Sequence, residues 1–144
     1  MATGTFQLYD EGKRRTISGE VQLGTDTLTM ALLTDAHSPD TSAHTTFGDI
    51  SANEVTDADY AQQSLSGVSV TLSGSTVLFD ADTISFGTDV SIEAKYAVVM
   101  SGVGDSTDPL IAYVDLNTDG ASETLRSVAS TFEVRLPNGI YEAT

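Results

Sequence analysis

PLIAYVDL at 109–116 and AKYAVVM at 94–100 decide how the rest of this chain is read. Both are apolar runs of strand length, rich in Val, Ile and Tyr, and bounded by turn residues. Runs this apolar on both alternating faces belong to strands covered on both sides. Val98, Val99, Ile111, Tyr113 and Val114 are the expected centre of the core. Around these runs the chain is mainly Ser, Thr, Gly and Asp, with no cysteine, no tryptophan and two histidines. That composition directs attention to surfaces, hence to binding or structure before catalysis.

The 144 residues suffice for one domain with a substantial core. A net charge of −15 disfavours nucleic acid and anionic membrane as partners and favours solubility at high concentration. Without cysteine there are no disulfides, thiolate nucleophiles or thiolate metal sites. No run reaches the length of a membrane-spanning helix, and the N-terminus lacks the order of a signal peptide, so synthesis in a cytoplasm is expected.

Outward from the two central runs, TLTMALLT at 27–34 is a third strand, and alternation at Val68, Val70 and Leu72, then Val77 and Phe79, across an SGS turn predicts a hairpin with one wet face. Ile84 and Phe86 continue it, TFEVRL at 131–136 is a late strand, and Asn138-Gly139 is a type I′ turn signal. TFQLY at 5–9 reads as a short strand or extended arm, and GKRRTISGE at 12–20 as one or two helical turns closed by Gly19. The polar stretch 35–59 is long for a connection and is expected to face a partner, with a helical turn near Phe47 to Ile50. The expected fold is all-β: a single β-sandwich or β-barrel of about seven or eight short strands, with residues 1–16 as an N-terminal arm and 17–144 as the β domain.

The order TLTMALLTDAHSPD, FGDISANEV, VLFDADTISF, EAKYAVVM, DPLIAYVDL resembles small virion structural proteins of tailed bacteriophages, over about residues 17 to 141. DISANEV at 49–55 and FDADTISF at 79–86 are its most distinctive pieces. The resemblance implies a non-enzymatic virion protein, since none of its pieces is a catalytic motif. Small size, one β domain, acidity and a basic N-terminal segment narrow the expectation to a capsid decoration (cement) protein. Its expected partners are the major capsid protein and copies of itself, as a trimer, on the capsid exterior after synthesis in the host cytoplasm. The alternatives are a tail or head-tail component, and a glycan-binding module for surface attachment, which the absence of Trp disfavours.

Candidate chemistry is sparse. Asp115, Asn117, Asp119 and Gly120 fit the start of a calcium loop, but its twelfth place is Arg126 and Glu123 comes too early, so a turn is expected. His37 and His44, near Asp35, Asp40 and Asp49, match no zinc spacing and are expected to face solvent. Asp80 and Asp82 read as a solubilising edge before they read as a glycosidase pair. No Gly-x-Ser-x-Gly elbow is present. No catalytic residue, metal site or cofactor is expected. The expected binding site is the N-terminal arm: Phe6, Leu8 and Tyr9 as apolar anchors beside Lys13, Arg14 and Arg15, which are half of all the Lys and Arg. The other reading of TFQLY is a first strand of the domain's own sheet.

Overall fold

Every residue of Leu28–Leu33 is buried, although successive side chains of a strand point to opposite faces. This strand must therefore lie in a sheet covered on both sides, and that requirement organises the molecule. The computed structural model describes residues 6–116 and 124–143. In chain order its elements are β1 (Gln7–Leu8), helix α1 (Asp10–Ser18), β2 (Leu28–Leu33), β3 (Gln63–Ser64), β4 (Ser69–Ser73), β5 (Thr76–Asp80) and β6 (Ile84–Val90). β7 (Glu93–Ala94), β8 (Tyr96–Ser101), β9 (Leu110–Asp115), β10 (Leu125–Arg126), β11 (Ser130–Val134) and β12 (Tyr141–Ala143) follow. Short 3-10 turns at Phe47–Asp49 and Ser51–Asn53 lie between β2 and β3.

The class is all-β, as the alternation predicts. Strands of five or more residues are β2, β4, β5, β6, β8, β9 and β11; the remainder are two- or three-residue additions, β1 among them falling within the TFQLY run. The main sheet runs β1-β9-β8-β2-β3 and is antiparallel throughout. The barrel alternative does not hold, because β1 and β3 remain as separate edges and the sheet does not close. Smaller antiparallel sheets, β12-β5-β4 and β11-β6, supply the covering layer, with β10-β7 beside them.

Register places the two central runs as expected. Met30 pairs with Val99 and Leu32 with Ala97, which in turn pair with Ala112 and Val114. These residues form the larger core with Phe79, Ile84, Phe86, Phe132 and Val134 from the covering sheets. On the opposite face Ala31, Leu33, Val98, Met100 and Leu110 form a second core with Phe47, Ile50 and Tyr9. The stretch 35–55 is thus a cover over apolar surface. Its backbone is fastened at both margins: Thr34 N–H to Asn53 O and Val55 N–H to Leu32 O on the β2 side, Phe47 N–H to Asp108 O, Gly48 N–H to Ser106 O and Leu110 N–H to Thr45 O on the other.

The division into an arm of residues 1–16 and a domain from residue 17 does not match the packing. Gln7 and Leu8 pair with Tyr113 and Ala112, Tyr9 N–H donates to Ile111 O at 3.0 Å, and Phe6 and Tyr9 are buried. Helix α1 lies directly against β9, with Gly12 at the contact: a Cβ there would stand 2.5 Å from Leu110 O. Any side chain at position 12 would push the helix away. Gly19, at φ 84, ends the helix in the left-handed conformation and returns its N–H to Thr16 O. The turn at Asn138 also differs from expectation, since only Gly139 has positive φ, whereas a type I′ turn requires it at both central residues.

Ile111→Ala should cost roughly 2–5 kcal/mol, the range for truncating a buried branched side chain. Deleting residues 1–18 should cost more, because it exposes Ile111 and removes Phe6 and Tyr9 from the two cores. Urea titration of both variants checks this, and an unchanged midpoint for the deletion would mean that the segment does not carry load.

Candidate functional site

The sheet β12-β5-β4 has one face made wholly of apolar side chains. Val70, Phe79 and Tyr141 stand in one cross-strand row, and Leu72, Val77 and Ala143 in the next. In an ordinary sandwich such a face is closed against a partner layer. Here Phe79 is buried while Val70, Leu72, Val77 and Tyr141 remain exposed, Leu72 at 71 %. Between this face and α1 lies an apolar groove of about 420 Å³, walled by Leu8, Gly12, Thr16, Ile17, Leu23 and Ile111 on the helix side. Ile17, 88 % exposed, overhangs it from the last turn of α1. Lys13 is the one charged residue in the lining.

The geometry redistributes the residues expected to form a binding arm. Phe6 belongs to the larger core and Tyr9 to the second one, so neither is available as an anchor for another chain while the fold is intact. Leu8, half-buried, and Lys13 reach the groove. Arg14 and Arg15 lie off it and are neutralised locally: Arg14 bonds Glu11 at 2.6 Å and Glu20 at 3.0 Å, and Arg15 bonds Glu11 at 3.1 Å. Lys13 likewise pairs with Asp10 at 3.0 Å. Hydrogen bonds from Arg14 and then Arg15 hold the Glu11 carboxyl down at about 2. The cluster that looks basic in sequence is therefore a set of ion pairs with adjacent acids. The groove was legible only in part: alternation at 70, 72, 77 and 79 shows an apolar face but not whether anything covers it.

A second feature sits on the other side of the main sheet, under the 35–55 cover. Five rings run in succession: Tyr9 to Tyr113 at 5.7 Å between centroids, Tyr113 to Tyr96 at 6.3 Å, Tyr96 to His37 at 5.3 Å and His37 to His44 at 5.6 Å. His37 is buried, contrary to the solvent-facing position expected from its polar neighbours, because its loop folds back onto β8. Tyr9 Oη, His37 Nε2 and His44 Nδ1 are buried and have no hydrogen-bond partner among the described residues. Burial first, and the nearby Tyr113 second, push the Tyr9 hydroxyl well above the usual tyrosine range. Burial first and then His44 lower His37 to about 4.

The remaining acidic candidates are accounted for structurally. Asp115 meets Lys95 Nζ at 3.2 Å. Arg126 lies in β10, paired with Glu93 of β7, while Asn117, Asp119, Gly120 and Glu123 lie outside the described residues. Asp80 accepts locally from Ala81 N–H, and Asp82 accepts from the Ser66 hydroxyl, tying the segment after β5 to the one before β4. Among the described residues no group of three or more His, Asp or Glu side chains is disposed to hold a metal.

Comparison of this chain with protein-family models, with curated proteins and with solved structures gives no match. The groove and the ring row therefore stand on their own geometry.

The depressed His37 value implies a specific acid response. Above the ordinary histidine value near 6.5 both folded and unfolded chains hold a neutral ring, and stability is full. As pH falls from 6.5 to 4 the unfolded chain takes up a proton that the folded one resists, so stability is lost across that window, by about 1–3 kcal/mol. His37→Leu should flatten this part of the profile. Urea midpoints measured between pH 7 and 4.5 for both proteins check it, and identical slopes would contradict it.

Proposed function

We propose that this chain is a non-enzymatic capsid decoration protein of a tailed bacteriophage, docking on the outer face of the major capsid shell through the groove between α1 and β12-β5-β4. Resemblance to phage virion proteins supports the virion part of this reading. The observation that carries the docking part is the open apolar face itself: Val70, Val77, Tyr141 and Ile17 are large, exposed and line one groove, and Leu72 extends the same face beside Val77. Contiguous apolar patches of this kind on a soluble domain mark interaction sites.

Charge defines the occupant. The three cations of α1 are matched by Asp10, Glu11 and Glu20, and the chain as a whole carries −15. The segment that fits is an apolar stretch of the capsid protein flanked by Lys or Arg, with the apolar side chains supplying affinity and the opposite charges speeding encounter. A homotrimer would present several grooves to neighbouring capsid subunits. Because the grooves engage only the assembled shell, many weak contacts together lower its free energy and resist expansion. The β4–β5 hairpin, spanning Ser69 to Asp80, is short for the stacking arms of a tail-tube ring, which favours the capsid over the tail.

Ile17→Asp and Leu72→Asp alter exposed positions and should leave the fold intact. On capsids stripped of the protein, each should weaken binding about tenfold or more, as loss of an interface anchor does. Sedimentation of capsids with the variants reads this directly. Full occupancy by the double variant would move docking off the groove.

A further inference from the structure

The ring row ends in a feature that docking does not use. His37 and His44 face one another at 5.6 Å between centroids, with ring planes 34° apart. Each holds one buried ring nitrogen without a partner among the described residues, Nε2 of His37 and Nδ1 of His44. A buried polar atom is ordinarily bonded, to protein, to water or to a ligand. Two imidazoles on one ion, at metal–nitrogen bonds of about 2.0–2.1 Å, put their ring centres roughly 5–6 Å apart. The observed spacing falls in that interval.

From this we infer that His37 Nε2 and His44 Nδ1 form a two-imidazole site for a late first-row divalent metal ion, Zn²⁺ being the probe of choice, with the open positions left to water or an outside ligand. The backbone holds the pair in place: His37 N–H bonds Thr34 O at 3.2 Å, His44 N–H bonds Asp40 O at 3.1 Å, and Tyr96 meets the His37 ring edge-on. Asp40 also accepts from Ser42 and Ala43, fixing the loop between the two rings. Asp40 and Asp49 add negative potential without ligating. Their carboxyls lie below the usual range chiefly through hydrogen bonds from Ser42 and from Thr45, with a smaller attraction to His44. His44 is only partly buried, which leaves an entrance from solvent.

The sequence pattern gives no hint of this. A spacing of seven residues matches no zinc motif, and the rings meet only because 35–55 folds over the main sheet. Imidazole ligands select late first-row ions over Mg²⁺ and Ca²⁺, which prefer oxygen. That preference separates the pair from the acidic surface, where carboxylates take hard cations.

The test titrates the full chain with Zn²⁺ and, in parallel, Mg²⁺, reading Tm and Zn²⁺ affinity by competition with a chromophoric chelator. Zn²⁺ at a hundredfold excess over its Kd should raise Tm by roughly 9 °C. Mg²⁺ should not. His44→Ala, at the more exposed ring, should weaken Zn²⁺ binding at least tenfold while keeping the metal-free Tm, and His37→Asn should do the same to Zn²⁺ affinity whatever its effect on folding. Equal responses to Zn²⁺ and Mg²⁺, or Zn²⁺ affinity unchanged in His44→Ala, would overturn the inference.

Discussion

Three adjacent strands, β2, β8 and β9, carry apolar side chains on both faces, and the burial of both faces constrains everything else in this molecule. One face takes the smaller sheets β12-β5-β4 and β11-β6. The other takes the 35–55 segment, with Phe47 and Ile50 directed inward and the backbone bonded at both margins. Removing water from apolar surface favours each cover at roughly 25 cal/mol per Å². Segment 35–55 is polar on average because its outer side meets solvent, while two large side chains suffice to seal the inner one.

The N-terminal segment completes the same arrangement at the β9 edge. β1 extends the sheet by two residues, and α1 then lies across β9, where Gly12 allows backbone to approach backbone. Phe6 and Tyr9 alternate to opposite cores. What remains uncovered is the apolar face of β12-β5-β4 beyond Phe79, with Ile17 above it. The docking proposal follows from that difference: two faces closed within the chain, one left open.

Legibility in the sequence divided along physical lines. The long strands were readable because period-two alternation and continuous apolar runs persist over five or more residues, as at 28–33, 96–101 and 110–115. β1 was legible within TFQLY only as a short strand or arm, and β3 and β10 were not legible at all, since two residues carry no period. Lys13, Arg14 and Arg15 looked like a docking cluster because counting cations ignores the acids at positions 10, 11 and 20 that the helix and its end bring alongside. His37 looked solvated because its neighbours in sequence are polar, whereas its neighbours in space are Tyr96 and His44. Burial of 35–55 is a tertiary fact. Local propensity has no access to it.

Native-state hydrogen exchange under weakly denaturing conditions tests most directly whether residues 6–18 are part of the domain and not an appendage. Amides that open only with the whole fold share its free energy, whereas those of a docked appendage exchange through local opening. The Tyr9 amide, bonded to Ile111 O, and the Lys13 amide, bonded to Tyr9 O, should exchange with the same opening free energy as Val98, Val99 and Ala112 in the central strands. If Tyr9 and Lys13 instead exchange several orders of magnitude faster while β8 and β9 stay protected, the segment opens separately and the two-faced closure described here is wrong.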